Sequence, residues 1–109
     1  MTVDNFAKAT GFDIICMPSP ERDIQGAYIG DLLSWVMGRA ECGCAWITIM
    51  SNVNIVAVAT LADVSCIILA EGVSLDPDTV TTASQKGVNI LSTDMSAYEI
   101  AVALHGELK

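Results

Sequence analysis

The sequence predicts an α/β fold of three layers, with a mostly parallel sheet and helices on both faces. Three observations lead to it. β-rich apolar runs alternate along the chain with segments that carry helix start and stop signals, the pattern of successive βαβ units. The run Val64 to Leu69 is apolar almost throughout, as suits a parallel strand buried on both faces. Across 109 residues, 52% are hydrophobic and 17% charged, enough for one core and too apolar for a disordered tail.

Each element has a local reason. Val3 to Ala9 is a helix with Thr2 as N-cap and Gly11 as its stop. Phe12 to Met17 is a strand, and Pro18-Ser19-Pro20-Glu21-Arg22 is a loop by its prolines and charges. Ile24 to Ile29 resumes an extended run, in which Gly26 would allow close backbone approach. Asp31 can cap a helix over Leu32 to Met37 that Gly38 would end. Ala45 to Met50 is β-rich, Ser51 is a good N-cap, and a helix follows through Leu61. Asp76-Pro77 opens the next helix with a capping acid and an N1 proline, and Lys86-Gly87 closes it. Asn89 to Leu91 is a short strand. Ser96 and Glu99 stand at capping-box spacing, and Ala97, Ile100, Ala101 and Leu104 form the buried stripe of the last helix. With no repeat, low-complexity tract or linker, residues 1–109 are expected to be a single domain.

Thirteen acids against five bases give a net charge of -8, which argues against binding nucleic acid through phosphates. Met1 to Asn5 lacks the basic start and apolar run of a secretory signal, so a cytoplasmic location is expected. Its four cysteines are then thiols. Cys44 to Ala62 carries no charge, but Ser51, Asn52, Asn54 and Thr60 would lie in hydrocarbon. Strand plus helix in a soluble core explains the same apolarity, and no membrane association is expected.

No phosphate-binding G-x-x-x-x-G-K-[ST] loop occurs, and Gly26 to Gly30 lacks the third glycine of a dinucleotide fingerprint. His105, the single histidine, falls in the last turn of the terminal helix, far from any nucleophile that the pattern identifies. Cys42-Gly43-Cys44 falls short of a metal site without a second pair, unless a symmetry-related copy supplies one. Catalytic residues, a resident metal and a cofactor are therefore not expected. Ligands on parallel sheets sit beyond the carboxyl ends of the strands. Those ends supply Ser51, Asn52 and Asn54 after one strand and Ser92 and Thr93 after another, the candidate ligand-binding set. Asp31, Glu71 and Asp94 share that rim as solvated or capping acids. Lys8, Arg22, Arg39, Lys86 and Lys109 all lie off it, leaving few cations there for a phosphate.

Self-association has two signals. The helix from Val53 to Leu61 is apolar nearly all round, with Val53, Val56, Ala57 and Leu61 on one side and Ile55, Val58 and Ala59 on the other. Trp35 lies off the stripe Leu32-Leu33-Val36-Met37. A homodimer is expected, with Trp35, Ile55, Val58 and Ala59 at its interface.

From Glu21-Arg22-Asp23-Ile24-Gln25-Gly26-Ala27-Tyr28-Ile29-Gly30-Asp31 to Trp35-Val36-Met37, the chain resembles the DRTGG domain family. The likeness continues at Ala45-Trp46-Ile47-Thr48-Ile49, at Asn54 to Ala59 and at Ile90-Leu91-Ser92-Thr93. Departures from the family pattern fall at Glu21-Arg22-Asp23, at Gln25-Gly26-Ala27 and at Ser51-Asn52, where a histidine is often found. The resemblance implies a fold similar to the N-terminal domain of HPr kinase/phosphorylase without its catalytic domain. It also implies dimerisation, a regulatory role, and kinship with stand-alone copies encoded near iron-only hydrogenase genes. The expectation is a non-catalytic regulatory or protein-interaction module that contacts a redox or signalling partner. The alternative is a sensor for a small molecule such as an adenine nucleotide.

Overall fold

In the computed structural model, which describes residues 1–108, ten elements follow one another along the chain. They are α1 (Val3–Thr10), β1 (Asp13–Cys16), β2 (Gly26–Ile29), α2 (Leu33–Arg39), β3 (Cys44–Thr48), α3 (Asn54–Ala62), β4 (Cys66–Leu69), α4 (Pro77–Gln85), β5 (Ile90–Ser92) and α5 (Ala97–Leu108). The strands form one sheet in the order β1-β5-β4-β3-β2. β2, β3, β4 and β5 are mutually parallel, and β1 runs antiparallel along the far edge of β5.

The strand order explains the layering. Consecutive parallel strands advance in one direction, so right-handed crossovers put α2, α3 and α4 on the same face. α1 and α5, at the two ends of the chain, cover the other. Strand alternation then divides the core. Cys44, Trp46, Ile67, Leu69 and Ile90 pack under α2, α3 and α4, whereas Ala45, Ile47, Cys66, Ile68 and Leu91 pack under α1 and α5. Every residue of β3 and β4 is buried. Trp46 is fully enclosed, and its indole Nε1–H donates to the Gly30 carbonyl at 2.8 Å. The bond ties β3 to the exit of its edge neighbour, β2.

The helix signals are realised where they are local. The Thr2 hydroxyl accepts from Asn5 N at 3.1 Å, and Gly11 ends α1 at φ 74°. Asp76 accepts from Thr79 N at 2.7 Å with Pro77 next in line, and Ser96 and Glu99 cap α5 reciprocally. Two expected caps are otherwise employed. Asp31 does not cap α2; its carboxylate accepts from the Thr48 hydroxyl at 2.8 Å and from Ile49 N at 3.0 Å. Gly38 lies inside α2, which runs on to Arg39. Ser51 does not cap α3; Asn52 Oδ1 accepts from Asn54 N at 2.9 Å, and Asp63 ends the helix in the left-handed region.

The facing of α3 also corrects the expected interface. Ile55, Val58 and Ala59 are buried in the chain's own core together with Val56, and none is open to a partner. Val53, Ala57, Thr60 and Leu61 turn outward, Leu61 at 70% exposure. A wheel that is apolar all round carries no direction; the sheet beneath selects the face with the larger branched side chains.

Replacing Trp46 by Phe removes the indole donor and part of a fully enclosed ring system. The expected cost is about 2 kcal/mol, a fall in melting temperature of about 10 °C by calorimetry. An unchanged melting temperature would contradict this role for Trp46.

Candidate functional sites at the two ends of the sheet

The carboxyl rim holds all five predicted ligand residues but divides them into two groups. Ser51, Asn52 and Asn54 stand at the start of α3, and Ser92 and Thr93 end β5. β4 runs between their strands, so roughly two strand spacings, ~10 Å, separate the groups. Local structure already uses much of their polarity: Asn52 braces Asn54, and the Thr93 hydroxyl accepts from Met95 N at 3.3 Å.

A ligand crevice is expected between β4 and β5, where one connection leaves for α4 and the next for α5 on the opposite face. Backbone hydrogen bonds close it. Glu71 N donates to the Met95 carbonyl at 2.9 Å, Gly72 N to the Thr93 carbonyl at 3.0 Å, and Thr93 N to the Leu69 carbonyl at 3.1 Å. Gly72 has φ +72°, and a β-carbon there would come within 2.9 Å of Asp94 Oδ1. The positive φ favours glycine at this turn, whereas the flexible Asp94 side chain can move aside.

The amino end of the sheet is open. A hollow of 370 Å³ is lined by Gln25, Gly26, Ala27, Tyr28, Arg39, Glu41, Cys42 and Cys44. These residues come from the entry to β2 and its first three positions, the end of α2 and the turn into β3. Around it, long-range hydrogen bonds fix the loop from Pro18 to Gln25. Buried Asn89 donates to the carbonyls of Ser19 and Ser65 at 2.7 and 3.0 Å and accepts from Ser19 N at 2.8 Å. The Ser65 hydroxyl bonds the carbonyls of Asp23 and Gly43. The Arg22 guanidinium donates to Asp63 Oδ1 at 2.8 Å and to the Asp63 carbonyl at 3.0 Å.

The thiols divide by position. Cys16, Cys44 and Cys66 are buried and Cys42 is exposed, all four free. Burial raises the pKa of Cys16 and Cys44 and pushes Cys66 up to about 12. Cys42 is raised chiefly because its thiol donates to Asp63 Oδ2 at 3.0 Å, a bond that its thiolate would lose. The same bond, then Arg22, holds the Asp63 carboxyl below its ordinary value. Among the described residues, no three of His, Cys, Asp and Glu come together as a metal-holding group. Likewise, no helix there is long and apolar enough to cross a membrane. His105 is exposed on α5, and Lys109 lies outside the described residues.

Sequence reasoning missed Gln25, Tyr28, Arg39, Glu41 and Cys42 as a group, because they come from two stretches, the entry to β2 and the exit of α2, that only the fold brings together. Gly26 was the legible signal, a glycine within an extended run.

A mostly parallel three-layer α/β domain with one sealed and one open rim defines the class. Residues 20–106 match the DRTGG domain, and the chain belongs to that family. Among solved structures it is similar to the CBS and DRTGG domains of the regulatory region of a Clostridium perfringens pyrophosphatase, complexed with the activator diadenosine tetraphosphate. That likeness has TM-score 0.70 at 12% identity, over 98% of this chain and 46% of the other, so the chain spans just under half of that structure. In the pyrophosphatase, the DRTGG domain is part of a regulatory region. Among curated protein sequences, none matches the chain.

Asp63→Asn keeps a residue that tolerates the left-handed backbone while removing the carboxylate beside Cys42. Alkylation of Cys42 by iodoacetamide at mildly alkaline pH should rise several-fold, since the thiolate is the nucleophile. Because the folded pKa of Asp63 is depressed, its contribution to stability is present above the unfolded value, about 3.9, and fades as pH falls through the folded one. The melting-temperature gap between parent and variant should therefore narrow as pH falls below about 4 and close only beneath the folded value. An unchanged alkylation rate, or a gap that persists in acid, would count against the Arg22–Asp63–Cys42 arrangement.

Proposed function

We propose that this chain is a non-catalytic regulatory module that homodimerises in the cytoplasm and acts by contact with a protein partner. One observation carries the self-association: two neighbouring helices expose large apolar side chains with few charges between them. At the N-cap of α2 and on the helix itself, Leu32 and Trp35 are exposed, with the Arg39 guanidinium 3.7 Å from the Trp35 ring centroid. At the N-cap of α3 and near its end, Val53 and Leu61 are exposed, and with Ala57 they line a groove of 470 Å³ that reaches Thr82 of α4 and its C-cap Lys86. In a molecule of net charge -8, a second copy meets the least repulsion over this charge-poor face. The interface read from sequence thus keeps Trp35 and exchanges Ile55, Val58 and Ala59 for Val53, Ala57 and Leu61. Membership of the DRTGG family supports the regulatory role. The link to hydrogenase or redox signalling rests on the family resemblance.

The second reading is a sensor for an adenine nucleotide, favoured by the activator in the structural neighbour. Its candidate residues are Ser51, Asn52, Asn54, Ser92 and Thr93. A saturable thermal shift with ATP or diadenosine tetraphosphate, abolished by Asn52→Ala, would establish it.

For the dimer, light scattering at micromolar concentration should give twice the mass of one chain, and Leu61→Glu should return it to one. Leu61 projects into solvent, so the variant should keep its far-UV spectrum. A parent sample with the mass of a single chain would overturn the reading.

A further inference from the structure

Gly26 lines the hollow at the amino end of the sheet, and a side chain on it would enter space that no other atom fills. Gly26 pairs with Cys44, and by strand alternation its missing side chain lies on the α2 face, where Tyr28 points. A β-carbon built on Gly26 meets no atom within 4 Å, and its φ is not positive. Neither backbone geometry nor close packing therefore calls for glycine. Glycine inside a strand forfeits side-chain packing and marks a place where something approaches closely.

The walls carry unused polarity. Arg39 and Glu41 both line the hollow, yet they form no ion pair with each other, and neither side chain makes a hydrogen bond among the described residues. The aromatic face of Trp35 restrains the guanidinium while leaving its N–H donors free. Gln25 and Tyr28 add an amide and a phenol, also without side-chain hydrogen-bond partners among the described residues.

The geometry points to a binding site for a small zwitterion of the α-amino-acid class, its carboxylate on Arg39, its ammonium on Glu41 and its side chain over Gly26. The formal charge of the walls decides the class. One cation and one anion sum to zero, which suits a ligand that is itself neutral overall. A polyphosphate would meet a single guanidinium within a molecule of net charge -8. Its volume, 370 Å³, is ample for such a ligand and lies within the ordinary range of small-molecule pockets. The hollow borders the proposed dimer face through Arg39, which stacks on Trp35, but Leu61 is not among its lining residues, so Leu61→Glu separates the test of the dimer from the test of this site.

The test is thermal unfolding of the full chain with a panel of free α-amino acids at millimolar concentration, each beside its N-acetyl and carboxamide derivatives. At least one free amino acid should raise the melting temperature saturably, by about 5 °C at about ten times its Kd. Loss of either charge should abolish the shift. Gly26→Val suits a strand and its β-carbon meets no atom within 4 Å, so it should melt close to the parent temperature and lose the response. Arg39→Gln and Glu41→Gln are the second variants, on exposed positions where folding is not at stake, and each should also lose it. The proposal is overturned if no free amino acid shifts the transition, if blocked derivatives act as well as free ones, or if the shift survives all three substitutions.

Discussion

The fold depends on enclosing β3 and β4 from both faces. All nine residues of these strands are buried, and the apolar side chains among them point alternately into two separate cores. A parallel pair of this kind leaves no face for water, so two helical layers are obligatory. Three crossovers in a steadily advancing strand order can fill only one of them. The second is supplied by the two ends of the chain, with Phe6 of α1 and Ile100 and Leu104 of α5 fully or almost fully buried against Ile47, Ile68 and Leu91. A short polypeptide thereby reaches three layers.

Much of this was legible because the deciding forces were local. Asp76-Pro77 and Lys86-Gly87 bound α4 through cap chemistry that needs no neighbour, and Ser96 with Glu99 does the same for α5. The signals failed where a side chain found a better tertiary partner. Asp31 stands one residue before the N-cap position of α2, which Leu32 holds, and its carboxylate accepts instead from the buried Thr48 hydroxyl. The orientation of α3 failed for another reason. Ile55 and Leu61 are equally apolar, so hydropathy cannot tell inside from outside, and the shape of the sheet settles it.

The two rims of the sheet carry different work. At the carboxyl end, backbone bonds from Glu71, Gly72 and Thr93 occupy the place where a ligand crevice usually opens. At the amino end, the same polar economy anchors a loop: Asn89, Ser65 and Asp63 hold Ser19, Asp23 and Arg22. The arginine of the family-like motif is thus spent on positioning the chain that leads into Gln25 and Gly26. The candidate site was hard to foresee since parallel-sheet rules direct attention to the opposite end, and since Arg39, Glu41 and Cys42 look in sequence like an ordinary helix exit.

Amide hydrogen exchange, resolved along the chain, tests the central claim most directly. If the doubly covered strands hold the molecule together, amides of Cys44–Thr48 and Cys66–Leu69 exchange only through global opening, with the free energy found by denaturant unfolding. Amides of α2, which buries only Val36 outright, exchange sooner through local opening. Central strands that exchange as readily as α2 would contradict the account.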